Sequence, residues 1–187
     1  MIFTGRITTV VHRIIEDSVR EGSIVLDGTV GNGNDTLYLA HRVGKTGKVY
    51  GFDIQEQAIE CTKEKLIKEK VVERVELIHD THTKIQRYVK EELDLVIFNL
   101  GYLPKSNKKI ITKAESTLDA ILQSLDLLKN GGILAITSYY GHEGGKEEKD
   151  AVEEVVSKLD SKFYNVAKVD FLNRPNNPPI IYMIEKN

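Results

Sequence analysis

Ser23-Ile24-Val25-Leu26-Asp27-Gly28-Thr29-Val30-Gly31-Asn32-Gly33 is the stretch that decides the fold. Its first half is a short apolar run of the kind that fills a parallel strand buried on both faces. Its second half is a glycine-rich turn, and residues 35–43 then read as a helix. Upstream, residues 8–20 form an amphipathic helical pattern with Val11, Ile14, Ile15 and Val19 on one stripe, ended by Gly22.

Downstream the alternation continues. Strands are expected at 48–53, 74–79, 93–99, 133–138, 164–172 and 180–185. Helices are expected at 55–70 (Ile59, Thr62 and Leu66 inward), 84–91, 114–128 and 146–159. The helix at 114–128 carries Leu118, Ile121, Leu122, Leu125 and Leu128 at helical spacing, and Gly131-Gly132 turns it into the next strand. Such alternation predicts right-handed crossovers and helices on both faces of the sheet. Only residues 173–179 separate the last two strands, too few for a parallel crossover, so these should form an antiparallel hairpin. The expected fold is a doubly wound, Rossmann-like α/β sheet of seven strands, mostly parallel with an antiparallel last strand. That is the class I methyltransferase sheet, and the hairpin separates it from the dinucleotide-binding sheet.

The chain has 187 residues, 41% apolar and 29% charged, with no repeat or linker-like stretch. These figures suit one globular domain over 1–187. Met1 leads into no long apolar run and no later segment is long enough to span a membrane, so no membrane association is expected. The single Cys61 rules out an internal disulfide and a cysteine-based zinc site, and the cytoplasm is the expected compartment. A net charge of −2 means that any nucleic acid must be held by a local patch.

In an open parallel sheet, ligands bind outside the carboxyl ends of the strands, where the strand order reverses. The glycine turn after Asp27 admits a nucleotide cofactor of either large class. Thr36 stands where a dinucleotide fingerprint wants a small residue. Asp27 would repel a pyrophosphate but suits an ammonium, directly or through water, as at the methionyl end of S-adenosylmethionine (SAM). A buried aspartate capping the loop is the structural alternative. Asp53, 20 residues after Gly33, can accept from both ribose hydroxyls, and Gln55 could share that task. Asp80 or Thr81 could meet the adenine edge, unless Asp80 only caps the next helix. His79 and His82 have no evident third ligand, so no metal is expected.

The fourth strand runs into Asn99-Leu100-Gly101-Tyr102-Leu103-Pro104. An Asn99 carbonyl can accept from an attacking amine and aim its lone pair at a methyl donor. The pattern is close to the Asn-Pro-Pro-Tyr element of amino-methylating enzymes, with Leu100-Gly101 in place of the prolines. Closing a turn is the plainer role for Asn99. Tyr102 could stack on a base or flank the methyl group. Lys105, Lys108, Lys109 and Lys113 crowd the following loop, either as phosphate contacts or as a solvated run. Tyr139-Tyr140-Gly141-His142 adds rings and a possible proton acceptor in His142. All four prolines (104, 175, 178, 179) fall in two loops at this end of the sheet.

Several of these stretches together resemble one small bacterial family, labelled as rRNA methylases (YtqB-like, or MnmM-type). They are residues 27–36, Asn99-Leu100-Gly101-Tyr102-Leu103-Pro104, Ser116-Thr117, residues 140–145 and Asn177-Pro178-Pro179. The resemblance implies a class I fold, SAM as donor, and tRNA as partner through its anticodon region. The implied reaction is N-methylation of wobble 5-aminomethyl-2-thiouridine to the 5-methylaminomethyl form. On this reading Asn99, Tyr102 and His142 are catalytic candidates. The cofactor set is Asp27, Thr29, Gly31, Asn32, Gly33, Asn34, Asp35, Thr36, Asp53, Ile54, Gln55, Asp80, Thr81, His82 and Asn99. The substrate set is Lys105, Lys108, Lys109, Tyr140, Asn177 and Pro178. The family commonly has alanine at position 28, a change expected to be harmless, and Gly-Gly-Asp-Lys where this chain has Lys105-Ser106-Asn107-Lys108. A homodimer is a possible assembly. The alternatives are methylation of rRNA or of a small amine, a nicotinamide-dependent oxidoreductase on a similar fold, and a non-catalytic RNA-binding module.

Overall fold

The computed structural model of the chain describes residues 3–101 and 112–187. Seven strands are present: β1 (Ile24–Asp27), β2 (Lys48–Asp53), β3 (Val75–His79), β4 (Leu93–Leu100), β5 (Leu128–Ser138), β6 (Tyr164–Val169) and β7 (Ile180–Lys186). They form one sheet in the order β3-β2-β1-β4-β5-β7-β6. Because β1 pairs in parallel with both β2 and β4, the strand order reverses at β1. β7 is antiparallel to both β5 and β6, so the other six strands share one direction, as the short 173–179 connection predicts.

Strand alternation sorts the core into two layers. Val25, Leu95 and Ile97 face α1 (Ile7–Ile14), α2 (Asn34–Arg42) and α3 (Glu56–Lys68), packing with Val10, Ile15, Leu39 and Leu66. Leu26, Val96 and Phe98 face the other way, toward α4 (Ile85–Tyr88), α5 (Ala114–Leu127) and α6 (Gly145–Ser157). Burying each such apolar side chain contributes roughly 1.5–3 kcal/mol relative to exposure. The same parity places Asp27 and Asn99 on the α2 side and Gly28 on the Phe98 side.

Several boundaries differ from the sequence expectation. The first helix stops at Ile14, and Glu16–Ser18 form a single 3₁₀ turn. Asp17 and Ser18 are poor helix-interior residues, and the break still lets Val19 reach the core. In α3, Ala58 rather than Ile59 lies inward with Thr62 and Leu66. Leu122, one of the residues at helical spacing, is 52% exposed, because the buried stripe of α5 runs through Thr117, Ala120, Ile121, Ser124 and Leu125. Leu128 leaves the helix and pairs with Leu93 in β5, ahead of Gly131 at φ +78°. β6 ends at Val169, and Leu172 lies outside it, 95% exposed.

Candidate active site

A cavity of about 790 Å³ opens at the carboxyl ends of β1, β2 and β4, where the strand order reverses. Its wall includes Thr29, Gly31, Asn32, Asn34, Asp35, Asp53, Ile54, Gln55, Asp80, Thr81, His82 and Asn99. Gly33, Thr36, Pro178 and Asp27, all assigned to ligands from the sequence, lie off that wall. Gly33 is the residue before α2, at φ +69°, and a Cβ there would press on Thr62.

Asp27 lies behind the cavity wall rather than on it. It is fully buried on the α2 side. One carboxylate oxygen accepts from the Thr29 N–H (3.1 Å) and the other from the Thr36 hydroxyl (2.6 Å). The strand alternation that buries Val25 turns Asp27 the same way, so it ties the glycine turn to α2 from behind. Burial first, and the charge of Asp35 second, push its carboxyl up to about 7. The loop-capping alternative is the arrangement seen.

Asp53, at the end of β2, accepts from the Gly31 N–H (2.8 Å) and the Gln55 N–H (2.9 Å), one on each oxygen. A carboxylate has about four lone-pair positions, so each oxygen keeps an acceptor position. Lys65 of α3 braces the same turn, donating to the Asn32 carbonyl (2.5 Å) and to Asn34 Oδ1 (2.8 Å). Asp80 is already engaged by Lys84, by the Tyr88 hydroxyl (2.8 Å) and by the Thr81 N–H (2.8 Å). The Lys84 contact is the chief reason its carboxyl sits at about 2. His82 bonds to the Gly28 backbone, and burial pulls its imidazole below the ordinary histidine range. Its Nε2 has no hydrogen-bond partner among the described residues.

A continuous polar chain at the cavity runs through Asn99. The backbone N–H of Asn99 donates to the Thr29 hydroxyl (2.7 Å), and its Nδ2 donates to Asp35 Oδ2 (2.7 Å). A carboxylate only accepts, so the group facing Asp35 must be the amide NH₂. The Asn99 carbonyl oxygen is thereby turned away from Asp35 as an acceptor. Asp35 Oδ1 meets His12 Nε2 at 2.6 Å. His12 escaped the sequence reading, because nothing local marks a partner 23 residues away on another helix.

The rim combines expected and unexpected residues. Tyr140, His142 and Asn177 line the cavity as expected, and Pro179 rather than Pro178 does so. Tyr139 lines it too, and burial together with the Asp35 charge pushes its hydroxyl up to about 12, so it stays a donor at neutral pH. Arg6, Ile7 and Thr8 close one side of the opening, a contribution of the first helix that its amphipathic pattern did not disclose. Ser116 also reaches the wall. Buried Glu148 accepts from the Thr112 hydroxyl (2.7 Å) and the Thr117 hydroxyl (2.6 Å), which anchors the start of α5 to α6. Tyr102, Lys105, Lys108 and Lys109 lie outside the described residues.

The sequence profile of the family described as "Putative rRNA methylase" matches residues 49–185. The chain belongs to this family. A chloroplastic tRNA (mnm(5)s(2)U34)-methyltransferase of Arabidopsis thaliana is 39% identical over 189 residues, covering 96% of this chain and 69% of that protein. The crystal structure of a family-labelled "putative rRNA-methylase" from Clostridium thermocellum is 42% identical. It superimposes with a TM-score of 0.96 over 98% of this chain and 99% of its own. A protein of Streptococcus mutans described as "a putative methyltransferase", solved in complex with S-adenosylhomocysteine (SAH), is also 42% identical. Its TM-score is 0.89, over 99% of this chain and all of its own. The family therefore shares the class I methyltransferase fold seen here, and the nicotinamide-dependent alternative falls away.

Proposed function

We propose that this chain is a SAM-dependent N-methyltransferase acting on tRNA, converting wobble 5-aminomethyl-(2-thio)uridine to its 5-methylaminomethyl form. The observation that carries the reading is the Asn99 amide, held by Asp35 with its carbonyl left as an acceptor at the cavity wall. The Arabidopsis relative named for mnm(5)s(2)U34 supports the substrate, and the SAH-bound Streptococcus structure supports the cofactor.

The residues present fit that cofactor. Asp53 retains acceptor capacity for ribose hydroxyls, with Gln55 and Ile54 beside it. Thr81 and His82 stand toward the adenine side, whereas Asp80 is saturated by its own neighbours. Thr29, Gly31, Asn32 and Asn34 form the wall left for the methionyl end, with both Asp35 oxygens engaged by His12 and Asn99, and Asp27 stiffens it from behind. SAM supplies an electrophilic methyl group: the amine lone pair forms the new N–C bond as the C–S bond breaks, SAH departs, and one N–H proton is shed.

For the chain's own part, the Asn99 carbonyl accepts from the amine N–H and turns the nitrogen lone pair toward the methyl donor. Tyr139, Tyr140 and His142 flank the entering base, with His142 a candidate acceptor for the released proton. Arg6 at the rim supplies local positive charge on a chain of net charge −2, and Lys105, Lys108 and Lys109 are proposed phosphate contacts from the sequence alone. Among the described residues no helix is long and apolar enough to cross a membrane, and the cytoplasm is the proposed compartment.

The family description keeps ribosomal RNA as a second reading. Incubation with labelled SAM and a mixture of hypomodified tRNA and ribosomal RNA separates the two. Label is expected in the aminomethyl group of the wobble uridine. Label confined to ribosomal RNA overturns the tRNA assignment.

A further inference from the structure

We infer that His12 is a positioning residue for methyl transfer, acting through Asp35 on the Asn99 amide. The inference rests on the reading of Asn99 as the group that orients the accepting amine. His12 Nε2 stands 2.6 Å from Asp35 Oδ1, and Asp35 Oδ2 stands 2.7 Å from Asn99 Nδ2. Each oxygen of one carboxylate thus carries one end of a continuous chain from α1 to the end of β4. Asp35 can only accept, so His12 must present a proton at Nε2 and Asn99 must present its NH₂.

His12 is itself held in two ways. Its ring stacks on Tyr38, with centroids 3.8 Å apart and 5° between the planes. The Tyr38 hydroxyl donates to the His12 carbonyl at 3.1 Å. Tyr38 lies one helical turn after Asp35 on α2, so one helix fixes both the histidine and the carboxylate it meets. The Asn99 amide has one torsion to set, and a carboxylate pinned on its far oxygen sets it. With the far oxygen released, Asp35 can rotate or take up water, and the Asn99 carbonyl loses its fixed direction. Positioning effects of this kind act on the chemical step rather than on cofactor affinity.

His12→Phe keeps an aromatic ring over Tyr38 and removes only the donor, whereas His12→Gln restores an N–H of similar reach. In single-turnover methylation at saturating SAM, His12→Phe is expected to lose about 10- to 100-fold in rate. Its Kd for SAM, read by calorimetry, should stay within about threefold of wild type, and His12→Gln should recover most of the lost rate. A second readout is independent of substrate: the Asn99 side-chain amide signal in ¹⁵N–¹H spectra, identified by its absence in Asn99→Ala. It should move in His12→Phe and return in His12→Gln. An unmoved amide signal overturns the inference, as does a loss confined to SAM affinity or an equal loss in both variants. If the wild-type protein methylates no tRNA, the functional reading fails while the amide signal still decides the role of His12. His12→Leu repeats the test should the phenylalanine variant fail to fold.

Discussion

Phe98 fills the space that a side chain on residue 28 would need: a Cβ built on Gly28 would stand 2.1 Å from Phe98 Cε1. Phe98 is buried in the core at 1% exposure, so its ring cannot swing aside into solvent. Alanine at position 28, expected from the sequence to be harmless, therefore meets a filled space in this chain. Gly28→Ala should cost about 1–3 kcal/mol of stability through overpacking. Urea unfolding of the single variants and of the double variant with Phe98→Leu checks it: the alanine should cost less beside leucine. Equal cost in both backgrounds would place the strain elsewhere.

Asp27 gives the protein a pH signature. Its carboxyl is raised from 3.8 to about 7, first by burial and then by Asp35, against the lowering influence of the Thr36 and Thr29 bonds. Between those values the folded chain holds a proton that the unfolded chain has released. Stability therefore falls as pH rises through that window and levels off above it. Asp27→Asn removes this contribution. Unfolding free energies measured at about pH 4.5 and about pH 7.5 should shift in favour of the variant at the higher pH. A difference that does not change with pH would contradict the assignment.

Asp53→Asn tests the proposed ribose contact. Hydrogen bonds to a charged group contribute about 1.5–3 kcal/mol, so the Kd for SAM should rise by about 10- to 100-fold. The Kd for SAH should rise by the same factor, because a ribose contact does not distinguish the sulfonium. Calorimetry with both ligands measures the two. A loss for SAM alone would move Asp53 beside the sulfonium.

The sheet was legible because its strands are dense apolar runs and because seven residues cannot make a parallel crossover. The strand ends were legible as a set of candidate ligands, but not the direction in which each points. Asp27 and Gly28 are neighbours in sequence and face opposite layers, a difference settled by the parity that buries Val25 and Leu26. Asn99 and Asp53 could be read because each closes a strand at the cavity. His12 could not, since its meaning lies in a contact to Asp35 across two elements. Leu122 shares the helical spacing of α5 yet lies outside its buried stripe, because periodicity gives a face without giving its edge.

Asn99, held by Asp35, is proposed to orient the accepting amine for methyl transfer. Its most direct test is the single-turnover rate of Asn99→Ala against wild type on tRNA bearing 5-aminomethyl-2-thiouridine, with SAM saturating for both. The rate of 5-methylaminomethyl product formation is expected to fall by about 100-fold or more. An Asn99→Ala protein that forms this product at the wild-type rate would contradict it.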